Sequence, residues 1–139
     1  MDSKLLEVSK FDGEGYMPMI DYQSWRVAEL RYIDELEVDN LKTMQKHDES
    51  DEVFILLEGD FTLFIGGNGD HIGEISAVKL EPLKLYNVKR GTYHTHVPEK
   101  NATVLIVENQ DTCDDNSPEE DLTLEHKKII KKLYTELNS

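Results

Sequence analysis

His47 and Glu52 stand five residues apart, with Asp48, Glu49, Ser50 and Asp51 between them. Residues 48–51 are turn formers, and residues 52–57 make an apolar run that reads as a buried strand. This spacing lets His47 and Glu52 face each other across a tight connection. An imidazole nitrogen and a carboxylate oxygen held that close are donors for a divalent cation. If residues 41–47 are extended, the period of two puts Leu41, Thr43, Gln45 and His47 on one face, so Gln45 neighbours His47. A second histidine stretch follows at Gly91-Thr92-Tyr93-His94-Thr95-His96. Gly91 marks a turn there, and His94 and His96 share a face of an extended chain. A lone strand histidine is commonly a hydrogen-bonded structural residue, and Glu52 alone would fit a solvated position. The group taken together points to a metal site. Asp48, Glu49 and Asp51 read as a solvated turn.

These donors have to be positioned by strands. Residues 25–33 are rich in aromatic and β-branched types and read as one. Arg26 and Arg31 point to its opposite faces; one of them could reach a cavity, but a solvated arginine is the favoured reading of both. Residues 53–58 and 60–65 form a hairpin around Gly59, which supplies the backbone angles of the turn. Phe54 and Leu56 share the Glu52 face, while Val53, Ile55 and Leu57 take the other. Residues 72–80, 83–88 and 102–108 give further strands, and residues 5–8 and 16–20 read as short edge strands. Strands that are apolar on both faces need cover on both sides. The Gly66-Gly67-Asn68-Gly69 turn lacks the lysine and helix start of a phosphate loop.

Residues 109–121 read as a polar, acidic connector, with Ser117-Pro118-Glu119-Glu120 resembling a helix start or single turn. Leu124, Ile129, Ile130, Leu133, Tyr134 and Leu137 then fall at helical spacing behind Thr123, a candidate N-cap. The expected organisation is a β-barrel over residues 1–112, with the connector and a C-terminal helix over 113–139 packed on the same domain. The fold class is all-β.

The chain has 139 residues and a net charge of −14, with 38% hydrophobic and 32% charged residues. One domain with one core follows from that length. The negative charge argues against nucleic acid and against an anionic membrane as partners. The single cysteine, Cys113, allows no internal disulfide. The N-terminus lacks a basic segment followed by an apolar stretch, and no apolar run reaches membrane-spanning length. A cytoplasmic protein is expected.

His47 followed by Glu52 and then Gly59 resembles the first motif of the cupin superfamily, and Gly91-x-x-His94 resembles the core of the second. The likeness covers residues 41–108. It implies a double-stranded β-helix, the cupin jelly-roll barrel, with a metal inside. His47, Glu52 and His94 are the implied ligands. Two positions depart from the pattern: Gln45 stands where the first motif usually has a histidine, and Lys89 and Pro98 replace the usual proline and asparagine of the second. Gln45 is either a weaker fourth donor or a residue that orients a ligand. His96 is an alternative donor, and Phe54, Tyr93 and His96 are expected to line the pocket. The chain is similar to small bacterial cupins and, more loosely, to ureidoglycolate lyase-type cupins. The resemblance implies a divalent ion (Fe, Mn, Ni or Zn), a small-molecule ligand or substrate, and a homodimer. Lyase, isomerase and dioxygenase chemistry, a non-catalytic sensor, and a metal-free structural dimer all stay open.

Overall fold

Alternation of apolar and polar residues sets the strands, and turn residues end them. The computed structural model describes residues 1–139. Its strands are β1 (Tyr16–Tyr22), β2 (Trp25–Arg31), β3 (Thr43–Gln45), β4 (Glu52–Glu58), β5 (Phe61–Ile65), β6 (Ser76–Lys79), β7 (Tyr86–Val88), β8 (His94–Pro98), β9 (Thr103–Asn109) and β10 (Glu119–Asp121). One helix, α1 (Leu124–Leu137), follows. The strands form two antiparallel five-stranded sheets, ordered β1-β2-β9-β4-β7 and β10-β3-β8-β5-β6. This is the expected all-β barrel with a C-terminal helix.

The period of two decides what lies between the sheets. Ala28 and Leu30 of β2, Phe54 and Leu56 of β4, Phe61 and Leu63 of β5, and Val104 and Ile106 of β9 meet in one buried cluster. Phe64, one residue out of phase with its β5 neighbours, faces the other way. It joins Met44, Tyr93, Val97 and the helix residue Ile130 in a second cluster outside the second sheet. The helix therefore seals that sheet's outer face. Thr123 caps it: its hydroxyl accepts from the His126 amide, and the His126 ring accepts from the Thr123 amide, each at 3.1 Å. That reciprocal pair satisfies two backbone N–H groups at the N-terminus.

Gly59 has φ +78°, and a Cβ there would sit 2.3 Å from the Asn101 carbonyl oxygen. Both the turn and the close approach require glycine.

Three expectations are corrected. Residues 5–8 form no strand and lie exposed on the surface, because nothing pairs with them. Ser117 to Glu120 starts no helix. A 3-10 turn over Asp114–Asn116 precedes it, and β10 then pairs with β3, Glu119 opposite Gln45. Pairing to a distant strand has overridden the local helix-start signal. Only the end of the stretch read as a connector, Glu119–Asp121, is thus an edge strand of the second sheet. No helix of the chain is long and apolar enough to cross a membrane.

Candidate metal centre and its cavity

Glu52 opens β4, on the inward side shared with Phe54 and Leu56. His94 opens β8 on the facing sheet, paired with Gln45 of β3. His47 follows two residues after Gln45, beyond the end of β3. The barrel brings all three together: Glu52 Oε1 lies 3.0 Å from His47 Nε2 and 3.0 Å from His94 Nε2. All three side chains are buried, and their ligand atoms lie within 4.8 Å of one another. Burial opposes the charge on Glu52. The two imidazoles in contact with it, His47 and His94, outweigh it and hold the carboxyl well below the usual carboxylate range.

The far side of each ring is also engaged. His94 Nδ1 donates to the Thr92 carbonyl at 3.0 Å, and His47 Nδ1 lies 2.7 Å from Ser117 Oγ. A carbonyl can only accept, so the His94 Nδ1 carries a proton and the lone pair of the neutral ring sits on Nε2. That lone pair faces a carboxylate oxygen. The contact is favourable only with a proton or a cation between them. Two donors about 2.1 Å from one ion at a right angle are separated by about 3.0 Å. The spacing of Glu52 Oε1 from each imidazole nitrogen therefore suits shared coordination. The donor types suit it as well.

The group lines a cavity of about 560 Å³. Gln45 is on its wall and donates its Nε2 to the Ser117 carbonyl at 3.1 Å. The amide oxygen is the part of Gln45 left for the cavity. His96 is also on the wall. Its ring stacks on Phe61 with centroids 5.4 Å apart, and its Nδ1 is buried without a partner. Burial, with the nearby His94, pushes the His96 imidazole down to about 4.

Phe54 and Tyr93 do not line this cavity. Phe54 lies fully buried behind the rings of His94 and His96, at centroid distances of 6.1 and 5.8 Å. Tyr93 adjoins His94 and so takes the opposite side of the sheet, under the helix, where its hydroxyl donates to the Asp70 carbonyl.

Other wall residues carry chemistry too, and of these Glu108, Tyr16 and Ser117 were not among the residues expected from the sequence. The register β2-β9-β4 places Arg26 opposite Glu108 and Val107 opposite Val53, so the next position sets Glu108 opposite Glu52. Tyr16 of β1 donates its hydroxyl to Glu108. Arg26 is not solvated: it lies on the cavity wall, and its Nε bonds Asp21 at 2.7 Å. Burial, reinforced by the Glu52 charge, pushes the Glu108 carboxyl up to about 7. The available signal was an acid in phase with Val104 and Ile106, on the apolar side of β9. Ser117 gave no local signal, because a long-range pairing brings it to His47.

No protein-family model matches the chain, and no curated protein matches it in sequence. Solved structures do resemble its backbone. A cupin-2 domain protein from Shewanella frigidimarina matches with a TM-score of 0.51 at 16% identity, over 72% of this chain and 85% of that one. Pac13, described as a nucleoside dehydratase, matches with a TM-score of 0.57 at 11% identity, over 81% of this chain and 84% of its own. Protein SO0799 from Shewanella oneidensis matches with a TM-score of 0.55 at 16% identity, over 94% and 93% of the two chains. Likeness at these identities is likeness of fold, and it agrees with two antiparallel sheets and one C-terminal helix: the chain has the cupin fold.

Proposed function

We propose that the protein holds a divalent metal ion on His47, Glu52 and His94 and acts on a small polar metabolite in the adjoining cavity. The observation that carries this is the convergence of two imidazole Nε2 atoms on one carboxylate oxygen, each at 3.0 Å. Two imidazoles and a carboxylate suit iron, manganese, nickel or zinc. The bound ion would polarise a carbonyl or hydroxyl of the substrate. The chain's own residues supply the rest. Gln45 and His96 orient the substrate from the wall. Glu108, hydrogen-bonded by Tyr16, holds a proton beside the site and passes it to or from a substrate oxygen. Phe54 and Phe61 keep water from the back of the site.

Lyase, isomerase and dioxygenase chemistry are all served by this donor set. Pac13 is described as a nucleoside dehydratase, and a Pac13 from Streptomyces is described with uridine. That favours a lyase as the first reaction to test and makes uridine a sensible first ligand alongside small oxo- and hydroxy-acids. A non-catalytic binder would use the same cavity and differs in forming no product. Metal analysis of the purified protein is the first test. One equivalent of a transition metal supports the reading; a protein that stays metal-free after incubation with each of the four ions overturns it.

A second observation supports a homodimer. Ile20, Val27, Val107 and Val53 form a continuous row across β1, β2, β9 and β4 on the outer face of the first sheet. Tyr22 and Trp25 lie exposed beside it, while α1 packs against β6 of the other sheet. An apolar face of this kind is what a second copy of the chain would cover.

A further inference from the structure

We propose that Asn116 and Ser117 are positioning residues for the metal site. They hold the His47 ring with its proton on Nδ1 and its lone pair on Nε2. The inference rests on the metal reading above.

The derivation starts at Asn116. Its Nδ2 donates to Glu49 Oε2 at 3.0 Å and to the Asp111 carbonyl at 3.1 Å. Both partners are acceptors only, which fixes the orientation of the amide. Its Oδ1 accepts from the Cys113 amide at 3.0 Å. The same oxygen faces Ser117 Oγ at 3.1 Å, and an oxygen without a proton can only accept there. A serine hydroxyl has one proton to give. Ser117 gives it to Asn116, so toward His47 its oxygen can only accept. His47 Nδ1, 2.7 Å away, is therefore the donor. In the neutral ring this leaves Nε2 bare and aimed at Glu52.

Backbone pairing keeps this relay in place. The Asp48 amide donates to the Asn116 carbonyl at 2.9 Å, and the Lys46 amide donates to the Pro118 carbonyl at 3.1 Å. Gln45 Nε2 holds the Ser117 carbonyl. Ser117 is 2% exposed, so water does not compete for its hydroxyl. The two histidines are thus set differently. His94 is locked by a backbone carbonyl, which no substitution removes. His47 is locked by a side chain contributed from 70 residues further along the chain. Partners of this kind on the far side of a ligating imidazole fix its tautomer and raise its basicity.

The test uses the full-length protein with zinc. Zinc affinity is measured by chelator competition, and the imidazole Nδ1–H resonances of His47 and His94 are followed by NMR. Ser117→Ala is expected to weaken zinc binding by about 10–100-fold. It should also remove the protected His47 Nδ1–H signal while leaving that of His94. Ser117→Thr, which keeps the hydroxyl, should restore both. Asn116→Ala should give the same signal loss with Ser117 intact, and it serves if Ser117→Ala does not fold. Zinc binding in Ser117→Ala as tight as in the wild type, with the His47 signal retained, overturns the relay. If the wild type takes no zinc, the metal reading fails instead. The relay is then decided in the metal-free protein: the His47 Nδ1–H must be protected in the wild type and lost in Ser117→Ala, and its persistence overturns the relay.

Discussion

Glu108 of β9 and Glu52 of β4 stand opposite one another on the same buried wall, one carboxyl held acidic by two imidazoles and the other pushed up to about 7. The difference comes from their partners. Glu52 is flanked by the imidazoles of His47 and His94, whereas Glu108 has burial and the Glu52 charge against its ionisation. Two carboxyls with such separated behaviour can divide the work: one stays charged to bind a cation, and the other holds a proton.

This sets a pH dependence for Glu108. Its folded value lies above its unfolded value, so the folded state keeps a proton that the unfolded state releases. The resulting stabilisation is complete below about pH 4.5 and is lost as pH rises through about 7. Glu108→Gln should remove this slope. Measured by urea unfolding with chelator present, the wild type should lose about 1–2 kcal/mol relative to Glu108→Gln between pH 5 and pH 8, allowing for solvent screening of the group. Parallel profiles for the two proteins would contradict the buried, proton-holding role.

His96 acts with the opposite sign. Its folded value, about 4, lies below the ordinary histidine value of 6.5, so the unfolded state takes up a proton that the folded state refuses. The groups facing it are His94, Glu52 and His47, with Phe54 and Phe61 packed on its ring. Stability is retained above about pH 6.5 and falls as pH drops toward 4, by about 3 kcal/mol over that range. His96→Phe should flatten this acid limb in the same unfolding series. An unchanged acid limb would show that His96 already takes up its proton in the fold.

The outer face of the first sheet gives a third outcome. Ile20→Glu with Trp25→Glu places two charges on the row next to Val27 without touching the cavity. Light scattering should give a mass of two chains for the wild type and one for the double variant. A single-chain mass for the wild type at tens of micromolar would contradict the dimer.

Much of this site was legible because strand phase is a strict period of two. Glu52 with Phe54 and Leu56, and His94 with His96, follow from alternation alone. Tyr93 shows the same rule applied one residue out of step: as the neighbour of His94 it had to face the helix. Glu108 and Arg26 were readable in principle as charged residues in phase with apolar ones, Val104 and Ile106 in β9 and Ala28 and Leu30 in β2. Ser117 was not readable. Its place beside His47 depends on the pairing of β10 with β3, and its local sequence suggested a helix start. The acidic residues between His47 and Glu52 are a turn, as their composition indicates. Yet Asp51 caps the Arg90 amide at 2.8 Å, and Glu49 anchors Asn116. A turn that looks merely solvated also tethers two segments around the site.

The central claim is that His47, Glu52 and His94 share one metal ion. Anomalous scattering from crystals of the metal-loaded protein, collected on both sides of the metal's absorption edge, tests it most directly. A single strong peak is expected between His47 Nε2, His94 Nε2 and Glu52 Oε1, absent from crystals of His47→Ala prepared in the same way. Loaded crystals with no peak at that position, and with the two imidazoles still bonded to Glu52 at about 3.0 Å through protons alone, would contradict it.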